Sequence, residues 1–471
     1  MEPEVTDAAV TMDFHPQPAP GPAKPWAFPV PEHSVLANGL AVLRCHRPGQ
    51  QVMAVQICLD LPLDAEPDGF DGIAAIMMSG LSEGTSKHTA EEFAAEMERC
   101  GATLEATADY QGARVSLEVP VSRLPKALEL LAESLHAPTF RGSEIERLVR
   151  NRLDEIPLEM ASPARRAAVQ LAQELFPAAA RLSRPRAGTD DSVARVDAAG
   201  VRAFYQEHVR PATATAVVVG DLTGVDLDAM LAGTLGGWAG DAADPVPMPP
   251  VVADDSGRVV IVDRPGAVQT QLLIGRTGPD RHDRAWPALV LGTYCLGGTL
   301  TSRLDRVLRE EKGYTYGVRA FQRVLRSAAP HAPGRATGVS VLAISGSVDT
   351  ASTGPALDDV WKVLRTLAAD GLTETERDTA VHNLVGVAPL RYERAASVAG
   401  TLADQVEQDL PDDYQAQLYA RLAETGTAEA TAAVAAAFPE SRLVTILVGD
   451  ASRIRAPVSA LGIGDVEVVT G

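Results

Sequence analysis

Histidine and cysteine are the side chains that most readily hold a metal or act as nucleophiles, and this chain spaces neither for that work. None of its nine histidines stands four residues from another, so a metal site would have to be assembled wholly by tertiary folding. Cys45, Cys58, Cys100 and Cys295 form no C-x-x-C pair. That removes a zinc ribbon, and scattered thiols in so long a chain read as reduced and buried. The glycine-bearing run at 291–300 (LGTYCLGGTL) lacks the Lys-Ser/Thr that a phosphate cradle requires. Two residues beyond it have useful chemistry. Arg309 offers a permanent cation with a fork of donors, and Tyr316 a phenol hydroxyl able to donate a hydrogen bond. Read alone, Arg309 is a helix-surface arginine spaced to pair with Asp305, and Tyr316 a half-buried strand tyrosine.

The elements that must position these residues come in two similar sets. AVLRCHRPG (41–49) is answered by VVIVDRPG (259–266), and AVQICLDL near Ala54 by TQLLIG near Thr270. TATAVVVGDL (213–222) is answered by SRLVTILVGD (441–450). Each is a strand pattern, the last pair being buried-strand runs closed by Gly-Asp. Amphipathic helices lie between them. One is predicted over 123–135, with Leu124, Leu128, Leu131 and Leu135 at helical spacing, and its counterpart over 356–372 stops at Gly371. Strands and helices interleave without the regular alternation of a parallel sheet. The expected fold is therefore α+β, with two similar halves, each a mainly antiparallel sheet backed by helices. A proline-rich arm (1–32), a first domain (33–235), a Pro/Gly/Asp-rich linker (236–257) and a second domain (258–471) complete the division.

The 471 residues suffice for several cores, and mean hydropathy near zero suits a soluble protein. With 42 basic against 62 acidic residues the net charge is −20, which argues against nucleic acid or an anionic membrane surface as partner. The acidic N-terminal residues lack a secretory signal pattern and no run is apolar enough to span a bilayer, so a cytoplasmic location is expected.

These landmarks together resemble the short-chain branch of the insulinase/pitrilysin zinc peptidase family. LANGLAVLRCHRPG (36–49) is similar to the family's opening, VDRPGAVQTQLLIG (262–275) to the start of its second half, and HVRPATATAVVVGDL (208–222) to the strand closing the first. GATLEATADYQGARVSLEV (101–119) resembles the hairpin beside the zinc site, with Glu105 where members usually carry Asn. Residues 72–85 (GIAAIMMSGLSEGT) resemble the frame that holds the inverted zinc motif H-x-x-E-H, but those positions are Ala75, Met78 and Ser79. Glu155 falls where the third zinc ligand would stand, and one carboxylate does not hold catalytic zinc. Residues 296–321 strongly resemble the segment carrying the family's substrate-handling pair, matched by Arg309 and Tyr316.

The resemblance implies one lobe of a clamshell enclosing a peptide chamber. It implies a subunit with no cofactor of its own, paired as a heterodimer with a zinc-bearing insulinase-family subunit. Arg309 and Tyr316 would then bind substrate and stabilise the oxyanion in trans, on short or unfolded peptides, leader-peptide processing among the uses that suit such a chamber. The alternative implied is a catalytically inert peptide-binding or scaffold protein.

Overall fold

The computed structural model describes residues 26–240, 244–329 and 337–470. The predicted arm before Trp26 and residues 241–243 of the predicted linker lie outside the described residues. Two six-stranded mixed sheets form the framework. The first contains β1 (Glu32–Val35), β2 (Ala41–His46), β3 (Val52–Leu59), β4 (Thr103–Ala108), β5 (Ala113–Pro120) and β6 (Ala214–Gly220), in the order β1-β2-β6-β3-β5-β4. The second contains β7 (Arg258–Asp263), β8 (Gln269–Gly278), β9 (Thr315–Arg326), β10 (Val339–Asp349), β11 (Val444–Gly449) and β12 (Asp465–Thr470), in the order β12-β7-β11-β8-β10-β9.

Five strands of each sheet correspond one to one. The sequence pairs 41–49 with 259–266 and 213–222 with 441–450 fall on β2 and β7, and on β6 and β11. In both sheets these two strands run parallel and the remaining three of the five are antiparallel. The sixth strand breaks the likeness. β1 precedes β2 and pairs with it antiparallel, whereas β12 is the last strand of the chain and lies parallel to β7.

The central strands β6 (ATAVVVG) and β11 (VTILVG) are buried almost throughout. Strands buried continuously in this way require cover on both faces. One face of each sheet is covered by helices of its own half. In the first half these are α1 (Ile73–Gly80), α2 (Ala90–Cys100) and α3 (Leu124–His136), with α4 (Gly142–Ala161) packed against α1. α2 opens with a capping box, Thr89 Oγ1 accepting from Glu92 N and Glu92 from Thr89 N.

The other face is covered by exchange. α5 (Pro163–Leu175) leaves the first half and lays Leu171 and Leu175 on the second sheet, where Leu273, Ile446 and Val448 meet them. The helix Ala395–Glu407 of the second half returns the contact, packing Val398, Ala399 and Leu402 on Ala54, Val217 and Val219 of the first sheet. Each exchanged helix is fastened by an arginine of the sheet it covers. Arg258 of β7 reaches Glu174 on α5 at 2.9 Å. Arg114 of β5 holds Glu407 at 2.8 and 2.6 Å and Asp404 at 2.9 Å. Trp238, Met248 and Asp255 of the segment between the sheets are buried as well.

Candidate functional site

α1 carries the three positions of the lost zinc motif. Ala75 is half-buried, Ser79 is exposed, and both line a cavity of about 540 Å³. Met78 is outside that lining and 1% exposed in the first core. A helix places i and i+4 on one face, so Ala75 and Ser79 share the cavity side while Met78 packs inward. Glu155 on α4 has a side chain 60% exposed and meets Arg152 Nη1 at 3.3 Å. The donor set does not fit catalytic zinc. An alanine has no ligand atom, the thioether faces the core, and the carboxylate is engaged by a guanidinium. Among the described residues no three His, Cys, Asp or Glu side chains cluster as metal ligands.

The start of α1 rests on a buried ionic network. Glu66, its side chain fully buried, accepts from Gly72 N and Ala74 N at 2.9 and 3.1 Å with one oxygen. With the other it accepts from Arg181 Nε at 2.8 Å. Arg181 also meets Asp71 at 3.3 Å and donates to the carbonyls of Arg184 and Arg186 at 3.1 and 2.8 Å. Burial pushes the Glu66 carboxyl above its ordinary value, against the opposing pull of Arg181 and the two backbone donors. The helix terminus and the loop 184–188 are thus tied to one guanidinium. They touch so closely that a Cβ on Gly188, whose φ is +79°, would collide with Asp71 O. Tyr110 completes the tie, its hydroxyl donating to Arg184 O at 2.7 Å.

Five arginines line the cavity beside Ala75 and Ser79, with Glu159 as the one acidic side chain of that lining. Arg152 binds Glu159 with two nitrogens at 2.9 Å and donates to Ala187 O at 3.0 Å. The hydrogen bonds of Arg152 hold the Glu159 carboxyl below its usual value, burial opposing, with further help from the charges of Arg165 and Arg186. Arg184 is held by Asp71 at 2.6 and 3.2 Å. Arg186 from the loop and Arg323 from β9 both approach Asp109, at 2.6 and 3.5 Å. The walls are apolar, with Ile156, Met160, Leu273 and Phe321 among them, and the outermost strand β4 contributes Ala106–Ala108. Glu105 of β4 is exposed and outside the lining. Sequence reasoning missed these arginines, which come from α4, α5, a loop and β9 and carry no common spacing.

Arg309 and Tyr316 sit apart from this cavity. Arg309 lies in a π-helical turn, Arg306–Glu311, marked by Lys312 N bonding Val307 O at 3.1 Å. It does not pair with Asp305, contrary to the spacing. Asp305 is wholly buried, accepting from Val318 N at 2.9 Å and pairing with Arg319. Arg309 instead approaches the adjacent Glu310 at 3.5 Å. A π turn adds a residue per hydrogen-bonded ring and shifts the phase of the residues after it, which parts the two side chains.

Tyr316 is 92% exposed rather than half-buried. The β9–β10 register shifts between Val318↔Gly346 and Thr315↔Val348, so Tyr316 and Gly317 oppose Ser347 alone. A bulge of this kind re-aims a side chain, and here it turns Tyr316 outward on the outermost strand of the sheet. Five residues separate Tyr316 from Phe321 at the cavity, about 17 Å along an extended strand.

The run Gly80-Leu81-Ser82-Glu83-Gly84 spells G-x-S-x-G, yet it follows a helix rather than a strand, and among the described residues Ser82 Oγ bonds only Ser79 O, at 3.4 Å. The strained strand-to-helix elbow that activates such a serine is absent there. The four cysteines are free and buried, and burial raises the thiols of Cys45, Cys58 and Cys295. Among the described residues no helix is long and apolar enough to cross a membrane.

Comparisons with known proteins agree with this geometry. A family profile described as Insulinase (Peptidase family M16) matches residues 41–186, and one described as Peptidase M16 inactive domain matches residues 195–384. The chain is 23% identical over 398 residues to a protein of Streptomyces coelicolor named an uncharacterized zinc protease, covering 81% of this chain and 85% of that one. A similarly named protein of Mycobacterium tuberculosis is 26% identical over 389 residues, covering 81% and 84%.

Among solved structures, a peptidase M16 inactive domain from Pseudomonas fluorescens superposes with a TM-score of 0.75 at 22% identity, covering 89% of this chain and 98% of that one. A protease from Helicobacter pylori gives 0.79 at 19%, covering 90% and 100%. Two family profiles in sequence along most of the chain, over a doubled fold, show that this chain belongs to the insulinase (M16) peptidase family, as a member without the H-x-x-E-H motif.

Proposed function

We propose that this chain is the zinc-free subunit of a two-chain M16 metallopeptidase. It supplies Arg309, Tyr316 and half of a peptide chamber to a zinc-bearing partner that hydrolyses the peptide bond. The observation that carries the reading is the placement of Arg309 and Tyr316. Both stand on backbone irregularities, a π turn and a bulge, and Tyr316 projects from its own chain into solvent. π turns and bulges recur at functional sites. In the assembled site the Arg309 guanidinium grips peptide carbonyls and the Tyr316 hydroxyl donates to the oxyanion. Residues 33–235 and 258–471 act as the two domains of one lobe, joined by 236–257, in a cytoplasmic enzyme that removes leader peptides or degrades short peptides.

The test is reconstitution with an M16 chain that retains H-x-x-E-H. The single chain is expected to be metal-free and inert and the pair active. Arg309→Ala and Tyr316→Phe in the pair each lower kcat, roughly a hundredfold for the loss of one oxyanion donor. Unchanged turnover in both variants, or stoichiometric zinc and activity in the single chain, would refute it.

A further inference from the structure

The motif loss leaves a well-formed cavity with no metal set, and what lines it suggests a different use. We propose that the cavity between α1, α4, α5 and β9 is a binding site for an acidic side chain of an extended peptide, read by arginine. Five arginines line the cavity, and against the four carboxylates that pair with them (Glu155, Glu159, Asp71 and Asp109) the local sum is 5 − 4 = +1, in a chain whose net charge is −20. Overall acidity would repel such a ligand, so the local reversal of sign is what selects it.

The five are not equivalent. Arg152 and Arg184 are fixed by Glu159 and Asp71 and shape the walls. Arg186 and Arg323 share Asp109, whose side chain is 44% exposed. The Arg165 side chain has neither hydrogen bond nor ion pair among the described residues, and its charge is felt by Glu159. These three, drawn from the loop, β9 and α5, form a fork-bearing rim that an incoming carboxylate meets first.

A peptide, rather than a free carboxylate, is favoured by the wall opposite. β4 is the outermost strand of its sheet and presents Ala106–Ala108 to the cavity. Its outer backbone groups accept an added strand, and alternate side chains of that strand then face the apolar walls and the arginines. The volume of about 540 Å³ lies within the range of ligand pockets, roughly 300–1,000 Å³. The peptide class rests on the chamber reading above, while the selection of acid rests on the arginines alone.

The experiment is binding by the full single chain, without a partner, of labelled extended peptides that differ only in one central Glu, Gln or Lys. The Glu peptide is expected to bind about tenfold or more tighter than the Gln peptide, the scale of a charged hydrogen bond in a partly dry site. That preference should collapse in Arg165→Gln/Arg186→Gln/Arg323→Gln. Asp109→Asn removes the competing carboxylate and should tighten the Glu peptide severalfold, a gain that no misfolded variant would produce. Equal affinity for Glu and Gln peptides, no gain in Asp109→Asn, or a free glutamate derivative binding as tightly as the peptide would each overturn the proposal. An active two-chain enzyme with an indifferent cavity would sink this inference and leave the proposed function standing. A selective cavity in a chain that never supports activity would do the reverse.

Discussion

Replacing Arg181 by methionine removes the one cation that serves both Glu66 and Asp71, while the methylene volume is kept. Glu66 has no exposed side-chain surface and loses its cationic partner in a dry site, while Asp71 keeps its pair with Arg184. Breaking a buried pair from one side costs about 3–5 kcal/mol, because the remaining charge stays uncompensated. The upper end is expected, since the carbonyls of Arg184 and Arg186 also lose their donor. The direction with pH follows from Glu66. Its folded carboxyl is raised by burial and pulled back by Arg181. Without Arg181 it rises further, so the native variant takes up a proton that the unfolded chain does not hold until lower pH. The deficit is then full above the raised folded value and shrinks as pH falls toward the unfolded value.

Urea titrations followed by circular dichroism at pH 8 and pH 5.5 measure this, with Glu66→Gln/Arg181→Met as the companion. The glutamine oxygen can still accept from Gly72 N and Ala74 N, so the double variant should recover at least half of the loss. A deficit below about 1 kcal/mol against the expected 3–5 would refute the reasoning, as would one equal at both pH values.

The lost motif should not be restorable by writing it back. Ala75→His and Ser79→His are tolerated on the open face of α1, but Met78→Glu drives a carboxylate into the first core. The triple variant should be destabilised by several kcal/mol and remain a poor zinc binder, as calorimetry and metal analysis would report. Gly297→Ala should lower the melting temperature, because the new Cβ would collide with the backbone nitrogen of Ala320 on β9. Any activity that depends on Tyr316 should fall with it. The Glu376 carboxyl is opposed by burial but held down to about 2 by Arg303 and Thr373, so its contribution is full above about 4.5 and fades as pH falls toward 2. Glu376→Gln should therefore flatten the acid limb of the stability profile, read as the urea midpoint between pH 5 and pH 2.5.

The doubled architecture was legible because its strands carry strong local signals. β6 and β11 are apolar runs rich in β-branched residues and ending in glycine, and β2 and β7 lead into the same Arg-Pro-Gly turn. The helix predicted over 123–135 is observed at Leu124–His136, and that over 356–372 at Thr353–Asp370, with Gly371 at φ +76° as its stop. An amphipathic stripe says that a face is buried without saying on which sheet, so the exchange of α5 and the helix 395–407 was invisible.

The same limit hid the cavity. Arg152, Arg165, Arg184, Arg186 and Arg323 meet only through tertiary folding, and each alone reads in the sequence as an ordinary surface arginine. Asp305 and Arg309 show the opposite failure, where i,i+4 spacing promised a pair and the π turn dissolved it.

The exchanged helices set a timetable for synthesis. The first sheet is complete in sequence once β6 has emerged, yet the helix that covers its outer face ends roughly 190 residues later, a delay of about 10–40 s at ordinary elongation rates. Through that interval Leu43, Cys45, Ala54, Val217 and Val219 have no lid, and the nascent chain presents an apolar sheet face to whatever is near. The first half cannot finish until most of the second has been made. Truncated products should therefore aggregate rather than accumulate as folded domains, and a chaperone that shields sheet faces should raise the yield of the full chain.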